Sequence, residues 1–157
     1  MNAGRILASM ILLGAASAQA QTANQNVTFQ VNAINQISVA GSPSLTINTA
    51  TAGSAPTAAT AAATWAVTTN QSNAKITAQL DSDMPSGLTL EVNLGAPTGA
   101  TSAGATALSS ASVDLVTGIT QVAQSALSIG YSLSATTAAG VVGSTSRTVT
   151  YTITGGV

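Results

Sequence analysis

Cysteine and histidine are both absent from the 157 residues, charged side chains make up 4% and aromatic ones 3%. Each shortage closes a route. Without histidine, a serine or threonine hydroxyl lacks its ordinary general base, so the abundant Ser and Thr do not amount to a nucleophilic site. Zinc, copper and iron sites built on imidazole or thiolate are excluded by the same two absences. An exported domain of this size often leans on disulfides, and here the core must suffice alone. Lys and Arg together number three, too few to assemble a nucleic-acid surface or a patch for anionic lipid. Disorder is disfavoured as well, because its signature is low hydrophobicity with high charge, and 45% of this chain is apolar. The length suggests one domain.

What is present begins with a leader. Arg5 follows a short polar start, Ile6 to Ala18 is apolar apart from Ser9, Gly14 and Ser17, and Ala18-Gln19-Ala20 has the small-x-small form read by signal peptidase. The pattern predicts a secretory signal peptide over residues 1–20, cleaved before Gln21. An N-terminal anchor is the alternative, but about thirteen apolar residues rise only about 20 Å as a helix, short of the roughly 30 Å hydrocarbon core. The expected product is a single domain over residues 21–157 with no membrane span, secreted, extracellular or periplasmic, or held at the cell surface. Once Arg5 is removed, Lys75 and Arg147 stand against Asp81, Asp83, Glu91 and Asp114, a small negative balance.

Along the rest of the chain the hydrophobic period is two, which marks half-buried strands. Val27, Phe29, Val31 and Ala33 alternate with Thr28, Gln30 and Asn32. Ile34 breaks the phase and Ile37 and Val39 resume it, so a bulge or bend is expected near Asn35. Leu45-Thr46-Ile47 reads as a short strand. The stretch from Thr49 to Ala63 holds no large apolar side chain and is expected to be a surface loop or a poorly packed edge. Trp65–Thr69 and Ala74–Leu80 are expected to form a hairpin around Asn70–Asn73. Leu88, Leu90, Val92 and Leu94 give the cleanest strand, followed by a small-residue loop over 95–110 and strands over 112–116 and 127–133. Thr148–Thr154 closes the set, with Val149, Tyr151 and Ile153 facing in and the four threonines facing out. Seven or eight short strands separated by turn signals predict an all-β fold, an antiparallel β-sandwich of immunoglobulin-like or jelly-roll type.

Few residues remain for chemistry. Asp81 and Asp83 have the spacing of a calcium loop, but Met84-Pro85 follows where an EF-hand needs glycine, so a turn-capping role is preferred. Glu91 and Asp114 lie on the polar faces of strands, and nothing in the sequence brings two acids within the roughly 5 to 10 Å that a glycosidase requires. Lys75 alternates with Ala74 and Ile76 as an outward strand residue. Trp65 is expected in the core, since a sugar platform needs several exposed aromatics while Phe29, Tyr131 and Tyr151 all fall in inward phase. The row Thr148, Thr150, Thr152, Thr154 is similar to the threonine arrays of ice-binding surfaces, though threonine is a common solvent-face strand residue. No catalytic residue, cofactor site or metal ligand set is expected.

The segment Asn26-Val27-Thr28-Phe29-Gln30-Val31-Asn32-Ala33-Ile34-Asn35-Gln36-Ile37, with the low-charge Ala/Thr/Ser-rich body and the closing Thr148–Ile153 strand, resembles cysteine-free fimbrial, pilin-like immunoglobulin-like subunits that assemble by donor-strand exchange. The resemblance covers about a third of the chain and implies a non-catalytic structural or cell-surface protein. Its partners would be further copies or other cell-surface molecules, and Val27, Phe29 and Val31 would form the assembly strand. The same N-terminal alternation is compatible with pairing inside its own domain. A secreted module that binds a glycan, ice or a protein is the alternative class.

Overall fold

The structure, a computed structural model, describes residues 19–156. The expected leader therefore lies outside the described residues, except for its last two positions. The chain divides into two units after Val31.

Residues 19–31 carry no helix or strand. The strand expected over Val27–Ala33 does not form, and Phe29, expected to face a core, is exposed. Alternation decides which side chains share a face, but a strand also needs a neighbouring backbone to complete its ladder.

The second unit is an antiparallel β-sandwich. Its strands are β1 (Asn35–Ala40), β2 (Ala59–Thr69), β3 (Ala74–Leu80), β4 (Leu88–Leu94), β5 (Thr101–Ser102), β6 (Thr106–Ala107), β7 (Val113–Ile119), β8 (Val122–Ala135) and β9 (Val149–Thr154). One sheet has the order β1-β2-β8-β4-β6 and the other β5-β7-β3-β9. The arrangement β1-β2-β8-β4 opposite β3-β9 matches strands ABED opposite CF of an immunoglobulin constant-type sandwich, with β7 added beside β3. Between the sheets Trp65, Val67, Ile76, Leu80, Val92, Leu94, Leu115, Ile119 and Ile129 are buried. These are the inward phases read from the sequence for β3, β4 and the second half of β8. Among the described residues, every buried side-chain nitrogen or oxygen has a hydrogen-bond partner.

Several expectations need correction. Trp65–Thr69 and Ala74–Leu80 are not a hairpin, because β2 and β3 belong to opposite sheets and Asn70–Asn73 carries the chain across, with Asn73 at φ 56°. Ala59–Ala63, expected as a surface loop or a poorly packed edge, is the first half of β2, paired with β8 on one side and not reached by β1, which pairs only with Thr64–Thr69. Its small residues lie opposite large ones of β8, with Ala59 facing Leu133, Ala61 facing Tyr131 and Ala63 facing Ile129. Cross-strand pairing supplies there the packing that the alanines lack. Leu45-Thr46-Ile47 is not a strand, although Leu45 packs against the core from its loop. Of the bulge or bend expected near Asn35, no bulge occurs within β1, which pairs with β2 in unbroken register from Asn35 to Ala40. A bulge occurs instead in β8, where the register with β2 shifts between Trp65 and Val67 and Ala126 takes φ 56°.

Candidate functional site

The residues singled out for chemistry do not converge. Asp83 is an exposed turn residue whose carboxylate accepts the Ser110 N–H at 2.7 Å, and its C=O accepts Arg147 Nε at 3.2 Å. That contact with Ser110 holds the Asp83 carboxyl below its usual value. Lys75 and Asp114, on neighbouring strands β3 and β7, form an ion pair at 2.9 Å with both side chains nearly half exposed, a geometry worth little to stability. Glu91 sits on β4, in the opposite sheet from Asp114. Among the described residues no group of three or more Asp or Glu is placed to hold a metal ion.

The aromatic residues do not form a platform. Trp65 is buried and its Nε1 donates to the Gly95 C=O at 3.2 Å. Tyr131 is buried, Tyr151 is half-buried, and their hydroxyls share a hydrogen bond. Thr148, Thr150, Thr152 and Thr154 are exposed in one row, with Thr148 just ahead of β9.

Two other features stand out. The first is the N-terminal segment, where Val27, Phe29 and Val31 are exposed to 75%, 89% and 78%. Fully burying such side chains gains about 1.5–3 kcal/mol each, so their exposure as an alternating row is unusual. The sandwich unit itself begins at a defined anchor. Asn70 Nδ2 donates to the Asn32 C=O, and the Ile34 N–H donates to Asn70 Oδ1, both at 2.8 Å. One residue on, Asn35 Oδ1 accepts the Thr69 hydroxyl at 2.7 Å and Asn35 Nδ2 donates to Gln71 Oε1 at 3.0 Å. Four amide and hydroxyl side chains thus fix the start of β1. The sequence marked Asn70 only as a turn former.

The second feature is the outer edge of β9. Directly opposite residues of an antiparallel pair alternate between exchanging both backbone bonds and exchanging none. The β3–β9 register runs unbroken from Lys75 opposite Thr154 to Leu80 opposite Val149, and just beyond it the Asp81 N–H donates to the Thr148 C=O at 3.0 Å. The bonded positions are therefore Thr150, Thr152 and Thr154. The N–H and C=O groups of Val149, Tyr151 and Ile153 turn to the other side of β9, where no strand pairs among the described residues. The side chains of these three residues are half-buried against the core.

The segment Asn26–Ile34, β1 and β9 contain no charged residue and no proline. Strand edges are usually guarded by such residues. Among the described residues no helix is long and apolar enough to cross a membrane. No family model matches the chain, and neither a curated protein nor a solved structure matches it.

Proposed function

We propose that this protein is an exported, non-catalytic structural subunit of a cell surface, of the fimbrial or fibre type, which assembles by strand addition through Val27, Phe29 and Val31. The observation that carries the proposal is the exposed alternating row itself. A period-two apolar segment with exposed side chains is the form in which an extended peptide adds to a sheet edge, its backbone supplying affinity and its alternate side chains filling pockets. The chemistry-poor composition agrees, since a building block needs no titrating groups. Cleavage after Ala20 would place the segment close to the new N-terminus, where it is accessible to a neighbour.

Size-exclusion chromatography with light scattering on the purified exported protein tests this. The intact chain is expected to form multimers, and Phe29→Asp is expected to give monomers with an unchanged β-sheet circular dichroism spectrum. An intact chain that stays strictly monomeric at high concentration overturns the proposal.

A further inference from the structure

The geometry points to a sugar-binding groove on the outer face of the five-stranded sheet, which takes a neutral hexose unit of a glycan over Gly130. Strand β8 is the central strand of that sheet, between β2 and β4. Its outward residues stand in cross-strand rows. Thr60, Ser132 and Glu91 lie opposite one another in one row, and Ala62, Gly130 and Asn93 in the next. Because Gly130 has no side chain and Ala62 only a methyl, the surface sinks there into a groove of about 590 Å³, with Ala105 from the loop before β6 at its rim. That volume falls within the range of small-molecule sites.

Gly130 carries the inference. A glycine inside a strand weakens it, since it packs no side chain and loses more freedom on folding. Two glycines nearby have a structural reason to be there. Gly118 in β7 takes φ 73°, and a Cβ on Gly95, just after β4, would strike Ser128. Gly130 has neither reason. It does not take a positive φ, and an added Cβ would meet nothing nearer than the Asn93 C=O at 4.0 Å. The fold has room for a larger residue at the middle of its central strand, so what the glycine keeps clear is the floor of the groove. Close approach of a ligand to the backbone is one of the uses of a strand glycine.

The lining defines the ligand. A carboxylate, a carboxamide and two hydroxyls surround the floor. The side chains of Glu91, Thr60 and Ser132 make no hydrogen bond to the other described residues, and that of Asn93 has only a long 3.5 Å contact with Ser102 Oγ. A carboxylate only accepts, so the ligand must donate, and two adjacent hydroxyls can reach both of its oxygens. The carboxamide and the hydroxyls donate and accept, as a polyol does. The floor of Gly130 and Ala62 is flat and uncharged, suited to the C–H face of a pyranose ring. An acidic sugar would be repelled by Glu91 in a groove lined by no Lys or Arg. A simple ammonium would engage Glu91 and leave the other three groups idle. The Tyr131 ring turns inward to Tyr151 and offers the sugar no stacking face, so a single site binds weakly, with Kd on the order of 1 mM. The inference stands apart from strand addition. In a fibre the groove would recur on every copy, and weak sites would sum by multivalency.

Saturation-transfer NMR on the intact purified protein, with the methyl glycosides of glucose, galactose and mannose as probes, tests the site. At least one of them is expected to show saturable transfer. Gly130→Val should abolish it while the melting temperature stays equal or rises, because a β-branched residue replaces glycine in a strand. Glu91→Gln, which keeps the shape of the groove, should weaken binding at least about tenfold. Thr150→Val, on the outer face of the other sheet, should leave it unchanged. The inference is overturned if no glycoside shows saturable transfer, or if transfer survives both Gly130→Val and Glu91→Gln. A lowered melting temperature in Gly130→Val would show that the glycine serves the fold, and transfer to n-butylammonium but to none of the glycosides would make the groove a cation site. Either result also overturns it.

Discussion

The hydroxyls of Tyr131 and Tyr151 meet at 2.7 Å although β8 and β9 belong to opposite sheets. This bond fastens the edge strand β9 to the sheet across the core. It is also expected to make the fold sensitive to alkali. Burial first, and the bond to Tyr131 second, push the Tyr151 phenol above its ordinary value of 10.0. The folded state therefore favours the neutral phenol, while the unfolded chain ionises near the ordinary value. Its contribution to stability is complete below pH 10.0 and is lost as pH rises toward the folded value.

The expected outcome is a melting temperature that falls steeply above pH 10.0 in the unaltered protein. In Tyr151→Phe the fall should be shallower, with a cost of about 1 kcal/mol at neutral pH from the lost hydrogen bond. Thermal melts across the alkaline range check this. Parallel curves for the two proteins would show that the Tyr131–Tyr151 contact does not set the alkaline limit.

Leu90 and Thr89 are neighbours on β4 with opposite environments, Leu90 buried and Thr89 exposed. Leu90→Asp places an unpaired charge between the sheets and should cost about 3–5 kcal/mol. Thr89→Asp should change stability by no more than about 0.5 kcal/mol. Urea denaturation of the two variants measures the contrast, and equal losses would refute the inward phase of β4.

Asn70 holds the start of β1 through two hydrogen bonds to backbone, at Asn32 and Ile34. Asn70→Ala is expected to cost about 1–2 kcal/mol and to speed exchange of the Ile34 amide, with the β3 and β4 amides unaffected. Exchange rates measured on both proteins decide it. If the Ile34 amide is unchanged, the carboxamide does not anchor the strand.

The sequence revealed the sandwich wherever apolar residues alternate without interruption. In β4, the second half of β8 and β9, one face is filled by Ile, Leu, Val or Tyr, in β3 by Ile76 and Leu80 with Ala74 and Ala78, and period two leaves a single way to bury them. Ala59–Ala63 was not legible, because its alanines become strand residues only through the large side chains of β8 opposite them. The path between β2 and β3 was hidden for a related reason. An Asn-rich turn reverses the chain equally well within one sheet or from one sheet to the other, and burial of Trp65 and Ile76 is compatible with both. At the candidate site the alternation of Val27, Phe29 and Val31 could be read directly, but not their exposure, since alternation does not say whether a strand finds a partner. The open edge of β9 was not legible either, since which backbone groups remain unpaired depends on strand order.

Strand β8 lies between β2 and β4 in its sheet, yet it follows both in the chain. During synthesis, β2 and β4 are complete long before their common neighbour exists. Neither can settle into its final ladder until residues 122–135 have emerged. Folding of that sheet is thus postponed to the end of chain delivery and depends on contacts distant in sequence, a topology that folds on the slow side, in milliseconds to seconds. Until β8 arrives, the backbone edges of β2 and β4 that it will pair stand open, and that interval is when this protein is most exposed to aggregation.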